Sequence, residues 1–431
     1  MYTHSDLAKL QAQSLKMQGF IRQQTYSPEM EKTLRRFSSW EVAELILKIN
    51  PSTFRGRLAA DPSLPEGLVE EEGRQRWYTL EEINELRRKL KIKGRSLMPI
   101  RPAAKRAIRA AIANFKGGAG KSTVALHFAH AAALDGYRVL AVDFDPQATL
   151  SHSMGLSDVS EEVTVWGIMA RDLIRETERM NATAGGAESG TALPHRKLPP
   201  SVTGMGLNDL RATDFIKPTS WPTIDIIPSC ANAAFVEFAS AQYRHLNPEW
   251  SFFAAVSRYL DQLPDDAYDL IVFDCPPAIG YQSMNAVFAA DVLYVPSGPG
   301  YWEYDSTTSF IGQLSEALED LGRFRGRLPS GTNPDKVFAD IRFLLTRFEP
   351  NNDLHRAMQS AFHQVFKSHV AEHPIEMTRA VEQSGRFLSS IYEMDYRQMT
   401  RETWRRARMS FDRAYDEFQT TLVNAWEELE D

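Results

Sequence analysis

Two lysines set into a run of glycines are the first residues here whose types and spacing could do chemistry: FKGGAGKST, residues 115–123. The run follows an apolar stretch, AIRAAIANF, and precedes a helix-like one, VALHFAHAAALDG, the setting a phosphate-binding loop requires. Gly117, Gly118 and Gly120 let backbone N–H groups turn toward an anion, with Ala119 between them. A helix starting at Lys121 adds the positive end of its dipole. Lys121 then contacts the β- and γ-phosphates of a nucleotide, the Ser122 hydroxyl ligates Mg²⁺, and Thr123 closes the loop. A ligand-free Gly-rich turn is the alternative, and Lys-Ser in register weighs against it. Farther on, YDLIVFDCPPAIG (268–280) runs four apolar residues into Asp274, a pattern that holds Mg²⁺ through water. An acidic helix cap at a strand end is the plainer alternative.

The loop departs from G-x-x-x-x-G-K-[ST]: Phe115 stands where the first Gly belongs, and Lys116 follows it. This KGGxGKS form resembles the deviant Walker A loop of the ParA, MinD and nitrogenase-iron-protein superfamily. The resemblance implies ATP and Mg²⁺ as cofactors and a nucleotide-sandwich homodimer in which Lys116 reaches the partner's phosphates, as an arginine finger does in trans. VDFDPQATL (142–150) resembles the family's D-x-D-P-Q switch, implying that Asp145 orients the attacking water while Asp143 supports the switch and the metal shell. Thr346 and Arg347 follow the apolar run IRFLL where the family contacts adenine; a generic strand-end loop is the alternative.

These residues need a scaffold, and 431 residues with 43% hydrophobic and 24% charged side chains suffice for two domains and a real core. From residue 107 onward strand-like and helical segments alternate: AIRAAIANF, a helix from Lys121 to Asp135, YRVLAVDF, TIDIIPS, YDLIVFD, DVLYVP and IRFLLTRF. Continuous apolar runs of this kind are buried parallel strands, so residues 107–431 read as an α/β doubly wound P-loop NTPase domain with the three motifs at the carboxyl edge of the sheet. Residues 175–205, rich in Gly, Ala, Ser and Pro, read as a mobile insertion, and 91–106, with two prolines and repeated basic residues, as a linker. In RETWRRARMSFDRAYDEFQTTLVNAWEEL, Trp404, Phe411, Phe418 and Leu422 share a core-facing side, while Arg401, Arg405, Arg406 and Arg408 form either a DNA surface or a solvated face.

Residues 1–36 read as one or two helices, a possible dimerisation segment. Between 37 and 90 lie three helical stretches: one capped by Ser38 or Ser39, one by Ser52, and one by the pair Thr79 and Glu82. The order helix, turn at Asn50-Pro51, helix, ribbon, helix resembles a MerR-type winged helix-turn-helix. That resemblance puts the second helix in a major groove, presenting Ser52, Thr53, Arg55 and Arg57, with Arg74 and Arg76 on the wing. Residues 1–110 carry 21 Lys/Arg against 13 Asp/Glu and the rest 28 against 43, so +8 precedes −15. A basic module on an acidic body fits nucleic-acid binding or a basic solvated face.

Cys230 and Cys275 alone cannot build a disulfide framework, nor the cluster of a nitrogenase-type reductase. The N-terminal residues show no signal-peptide core, and the acidic NAWEELED does not suit a MinD-type membrane helix, so a cytoplasmic, nucleoid-associated protein is expected. The order of modules resembles large plasmid-partition ATPases. The family implies an ATP-bound dimer on nonspecific DNA, a centromere-binding ParB-type partner that stimulates hydrolysis, and autorepression through the N-terminal module. A DNA-binding transcriptional regulator with an accessory nucleotide switch uses the same parts.

Overall fold

Helix α1 (His4–Thr25) leaves Leu7, Leu10 and Met17 exposed. Strand β1 (Phe37–Ser38) leads into a reciprocal cap: the Ser38 hydroxyl accepts the Glu41 N–H at 3.3 Å and the Glu41 carboxylate accepts the Ser38 N–H at 2.9 Å. The turn it starts, Glu41–Ile46, is wound wider than an α-helix, with the Leu47 N–H on the Val42 carbonyl at 2.8 Å. Asn50, and not Ser52, caps α2 (Pro51–Ala60). Its side chain accepts the Ser52 N–H at 2.9 Å, and Pro51 sits at the first helical position, where no donor is needed. Strands β2 (Leu68–Val69) and β3 (Arg76–Tyr78) complete an antiparallel sheet of order β1-β3-β2, and α3 (Leu80–Lys89) starts on the expected Thr79–Glu82 capping box. Part of the stretch read as a linker is a hairpin, β4 (Lys91–Ile92) and β5 (Arg95–Ser96).

The computed structural model describes residues 3–25, 32–70, 75–101, 106–184, 198, 202, 207, 210–323, 335–386 and 388–428. Within them β6 (Ile108–Ile112), β7 (Val139–Asp143), β8 (Lys217–Pro218), β9 (Ile224–Ile227), β10 (Leu270–Asp274), β11 (Val292–Ser297) and β12 (Asp340–Leu345) form one sheet of order β12-β11-β6-β10-β7-β9-β8. All neighbours are parallel except the edge strand β8. Every residue of β6, β7, β10 and β11 is buried, which is why their sequences are continuous apolar runs without alternation. The stretch read as an insertion begins as helix: α5 (Val165–Ala184) runs through its first residues, and most of the remainder lies outside the described residues.

Helix α4 (Lys121–Asp135) buries nearly its whole surface between the sheet and α7 (Arg401–Glu428). Phe128 stacks on Phe418 at 4.6 Å and His127 on Phe411 at 3.7 Å, and each such buried ring contributes about 1.5–3 kcal/mol. The N-terminal module joins this core, since Val42, Tyr78, Ile83 and Leu86 pack in one cluster with Phe128, Tyr415 and Trp426. Trp404, Phe411, Phe418 and Leu422 are core residues, as their spacing predicts. Arg408 belongs to no DNA surface: it is buried, near Asp412 and Glu41. Arg401 lies over the Trp40 ring and Arg406 pairs with Glu376 at 2.7 Å, leaving Arg405 exposed on that helix turn. No helix among the described residues is long and apolar enough to cross a membrane.

Candidate functional site

Strand β6 ends at Ile112 and releases the chain into the loop at the carboxyl edge of the sheet. Gly118 (φ +74°) and Gly120 (φ +89°) hold the left-handed conformations that bring successive N–H groups to one side, and Gly117 and Gly118 are open to solvent where a Cβ would stand. Lys121 is buried, its ammonium donates to the Lys116 carbonyl at 3.1 Å, and burial lowers its pKa against the pull of Asp274. The Lys116 side chain is half-buried and makes no ion pair among the described residues. Ser122 and Thr123, also half-buried, form the first turn of α4 with Lys121. The loop is thus a concave set of donors with one buried cation and one that is unpaired.

Beside it the sheet register aligns Asp274 with Ile112 on one neighbour and Asp143 on the other. Asp274 is fully buried and neither carboxylate oxygen has a hydrogen-bond partner among the described residues. Burial and the adjacent Asp143 carboxylate push its pKa well up. The Ser122 hydroxyl draws it back without reaching good hydrogen-bond geometry, and Lys121 acts in the same direction. An unsatisfied buried carboxylate is costly unless a cation or donor completes it, and carboxylate and hydroxyl oxygens are what Mg²⁺ prefers. Among the described residues no three His, Cys, Asp or Glu side chains converge to hold an ion by themselves, so a cation here has to share its shell with a ligand such as phosphate.

Asp143 differs from its neighbour. Its oxygens accept from the Asp145 N–H at 3.0 Å and from the Ser151 N–H and hydroxyl at 2.9 and 2.7 Å, so they hold the switch segment and are not free for a metal. Burial still raises its pKa, against those same hydrogen bonds. Asp145 is half-buried, and Ala148, three residues on, has φ +53°, a conformation costly for a residue with a Cβ and frequent where a segment must move. Thr346 is buried and turns its hydroxyl to the Ala119 carbonyl at 2.8 Å, while the exposed Arg347 stands 3.7 Å from Glu303. Cys275 is a buried thiol with its pKa pushed up, unsuited to redox work.

Lys116, the glycines, Lys121, Ser122, Asp143, Asp145, Asp274 and Thr346 therefore meet at one edge, as the sequence predicts. Ser52, Thr53, Arg55 and Arg57 lie elsewhere, all exposed on α2, which buries only Phe54. Arg76 is engaged by the Glu66 carbonyl at 2.6 Å, and Arg74 lies outside the described residues. Sequence reasoning missed Ser151 and a buried histidine pair on α4. His127 takes the Ile391 N–H on Nε2 at 3.1 Å and places Nδ1 on the Thr123 carbonyl at 2.7 Å, and burial holds its pKa down at about 4. His130 contacts Ser390 at 2.7 Å and stacks on Trp221. A histidine on an apolar helix face carries little partner information in sequence, since Trp221, Ser390 and Ile391 lie far along the chain.

The family described as AAA domain matches residues 107–322, half of the chain. The putative replication protein A of Sinorhizobium fredii is 29% identical over 421 residues, covering 94% of this chain and 90% of the relative. Protein SopA of Escherichia coli K12 is 28% identical over 411 residues, covering 93% and 92%. Among solved structures, one described as a partition protein superposes with a TM-score of 0.60 at 16% identity over 96% of this chain and 99% of its own, a likeness of fold.

Proposed function

Because this chain belongs to the AAA-domain family of P-loop ATPases, in its ParA-type partition branch, we propose that it is a Mg²⁺-dependent ATPase that segregates plasmids or other low-copy replicons and represses its own operon. One observation carries the chemical part: Asp274 is buried with both oxygens unsatisfied, beside Lys121 and Ser122, at the mouth of a loop folded for an anion. The ATP phosphates lie along Gly117–Thr123, with Ser122 and Asp274 as the side chains that hold Mg²⁺, which supplies charge neutralisation at the phosphates when bound. Lys121 adds a fixed positive charge against the same oxygens. Arg347, exposed at this edge, would hold the base. Asp145 orients the attacking water, and Asp143 keeps the turn carrying it in place through Ser151.

Lys116, which makes no ion pair among the described residues, acts on the partner's phosphates in a homodimer. The ATP-bound dimer holds DNA without sequence preference, a ParB-type protein triggers hydrolysis and release, and the ADP or apo form takes the operator through α2. A second reading, a transcriptional regulator with an accessory ATPase, is favoured by the core that the N-terminal module shares with α4. The test is binding to random-sequence DNA and to the protein's own upstream DNA, without nucleotide, with ADP, and with ATP·Mg²⁺. Salt-sensitive nonspecific binding only with ATP, and operator preference with ADP, is expected. Binding to upstream DNA alone in every nucleotide state supports the regulator.

A further inference from the structure

The phosphate loop is fastened at both ends by side chains that belong to neither its strand nor its helix ladder. At its entry Asn114, fully buried, accepts the Lys116 N–H at 3.3 Å and donates to the Pro296 carbonyl at 2.7 Å and the Thr307 hydroxyl at 3.2 Å. At its exit the Thr346 hydroxyl donates to the Ala119 carbonyl at 2.8 Å, while the Thr346 N–H is fixed on the Ser297 carbonyl at 2.8 Å. Thr307 closes the bracket, its hydroxyl 2.9 Å from that of Ser297. All four side chains are buried: Asn114 just past the end of β6, Ser297 at the end of β11, Thr346 just past β12, and Thr307 in the first turns of α6 (Tyr301–Gly322).

A trans peptide points its C=O and N–H in opposite directions. Holding the Ala119 carbonyl outward on Thr346 therefore aims the Gly120 N–H the other way, into the cradle, and keeps a carbonyl dipole from facing an anion. Gly120 takes the left-handed φ of +89° without strain because it has no side chain, while a Cβ there would only reach ordinary contact with Thr346, at 3.6 Å. We propose that Thr346 is a positioning residue for the phosphate loop, holding the 119–120 peptide in its anion-accepting orientation, while Asn114 anchors the loop's entry by taking the Lys116 N–H. This deepens the ATPase reading and rests on it. It also reassigns Thr346, since a hydroxyl spent on the loop is not available to a base.

The test is displacement of a fluorescent ATP analogue by ATP·Mg²⁺ and by inorganic tripolyphosphate·Mg²⁺, on wild type, Thr346→Val and Thr346→Ser, with thermal melting alongside. Thr346→Val is expected to weaken both ligands by a similar factor, about tenfold for one lost hydrogen bond and an unpaired carbonyl. Thr346→Ser should restore both. Loss confined to ATP makes Thr346 a base contact and overturns the proposal, as does unchanged affinity in the valine variant or failure of the serine variant to rescue. If Thr346→Val does not fold, Thr346→Ala, which leaves room for water on the carbonyl, carries the same comparison. Wild type binding neither ligand sinks the ATPase reading itself; wild type binding both while the variants match it sinks only the bracket.

Discussion

Lys116 and Lys121 carry the same charge in the same loop, and their surroundings separate their roles. Lys121 is buried and donates to the Lys116 carbonyl within its own loop, which suits a charge that serves a nucleotide bound to its own chain. Lys121→Ala is expected to abolish ATP binding or hydrolysis; full hydrolysis by a folded variant would contradict the site. Lys116 is half-buried and without an ion pair among the described residues, which suits a charge that finds its counterpart on another molecule. Lys116→Ala should leave nucleotide affinity within about twofold, since a partly exposed charge gains little in its own chain, and should remove ATP-dependent dimerisation in light scattering. Dimerisation at wild-type ATP dependence argues against action in trans. Both lysines were legible because the loop is local in sequence. The Asp143–Ser151 and Thr346–Ala119 contacts were not, because a hydroxyl is silent about which carbonyl or carboxylate the fold brings to it.

Among the elements, α2 holds a residue that folding alone does not explain. Gly56 lies in the middle of a ten-residue helix with nothing within 4 Å of where a Cβ would stand. Alanine there should stabilise the protein by about 0.5–1 kcal/mol, because an exposed helical glycine pays backbone entropy for no contact. If α2 sits deep in a DNA groove between Arg55 and Arg57, the same methyl meets the duplex, so Gly56→Ala is expected to melt higher and bind the operator more weakly. A variant that gains stability with operator affinity intact removes that face of α2 from close contact. Arg55→Ala and Arg57→Ala should weaken operator binding and flatten its salt dependence while leaving ATPase activity alone. The elements themselves were largely readable: strands β6, β7, β9, β10, β11 and β12 from apolar runs, α3 from its capping box, α4 from the loop before it. The hairpin of β4 and β5 was hidden because Lys, Gly and Arg in 91–96 look the same in a two-residue-stranded turn as in a linker. Likewise α5 outran its amphipathic signal into a stretch whose composition favours loops.

At the scale of the whole chain, the N-terminal module is seated on the far end of the helix that begins at the phosphate loop. Arg87 of α3 donates to the Leu134 carbonyl in the last turn of α4 and fills the space over Gly136, where a Cβ would lie 2.8 Å from its side chain. Next to it Asp135 meets Gln419 at 3.1 Å and shares its surroundings with Lys48, Arg87, Asp412 and Asp416, Lys48 itself pairing with Asp416 at 2.8 Å. Burial pushes the Asp135 pKa up to about 6, with Lys48 and Arg87 opposing and the two other carboxylates assisting. A carboxylate whose pKa is higher folded than unfolded holds its proton longer in the native state, so its contribution is complete below about pH 4 and is lost as pH rises through about 6. Asp135→Asn should therefore stabilise the protein at pH 7.5, by less than about 3 kcal/mol because the side chain keeps some contact with solvent. The gain should shrink toward zero near pH 4 in denaturant titrations. A difference that stays constant across that range would place the strain elsewhere. A seam that stores unfavourable charge at working pH is one that small movements of α4 can relieve or worsen. The joint between α4 and the N-terminal module is then a place where a change of charge reaches the helix that begins at the phosphate loop.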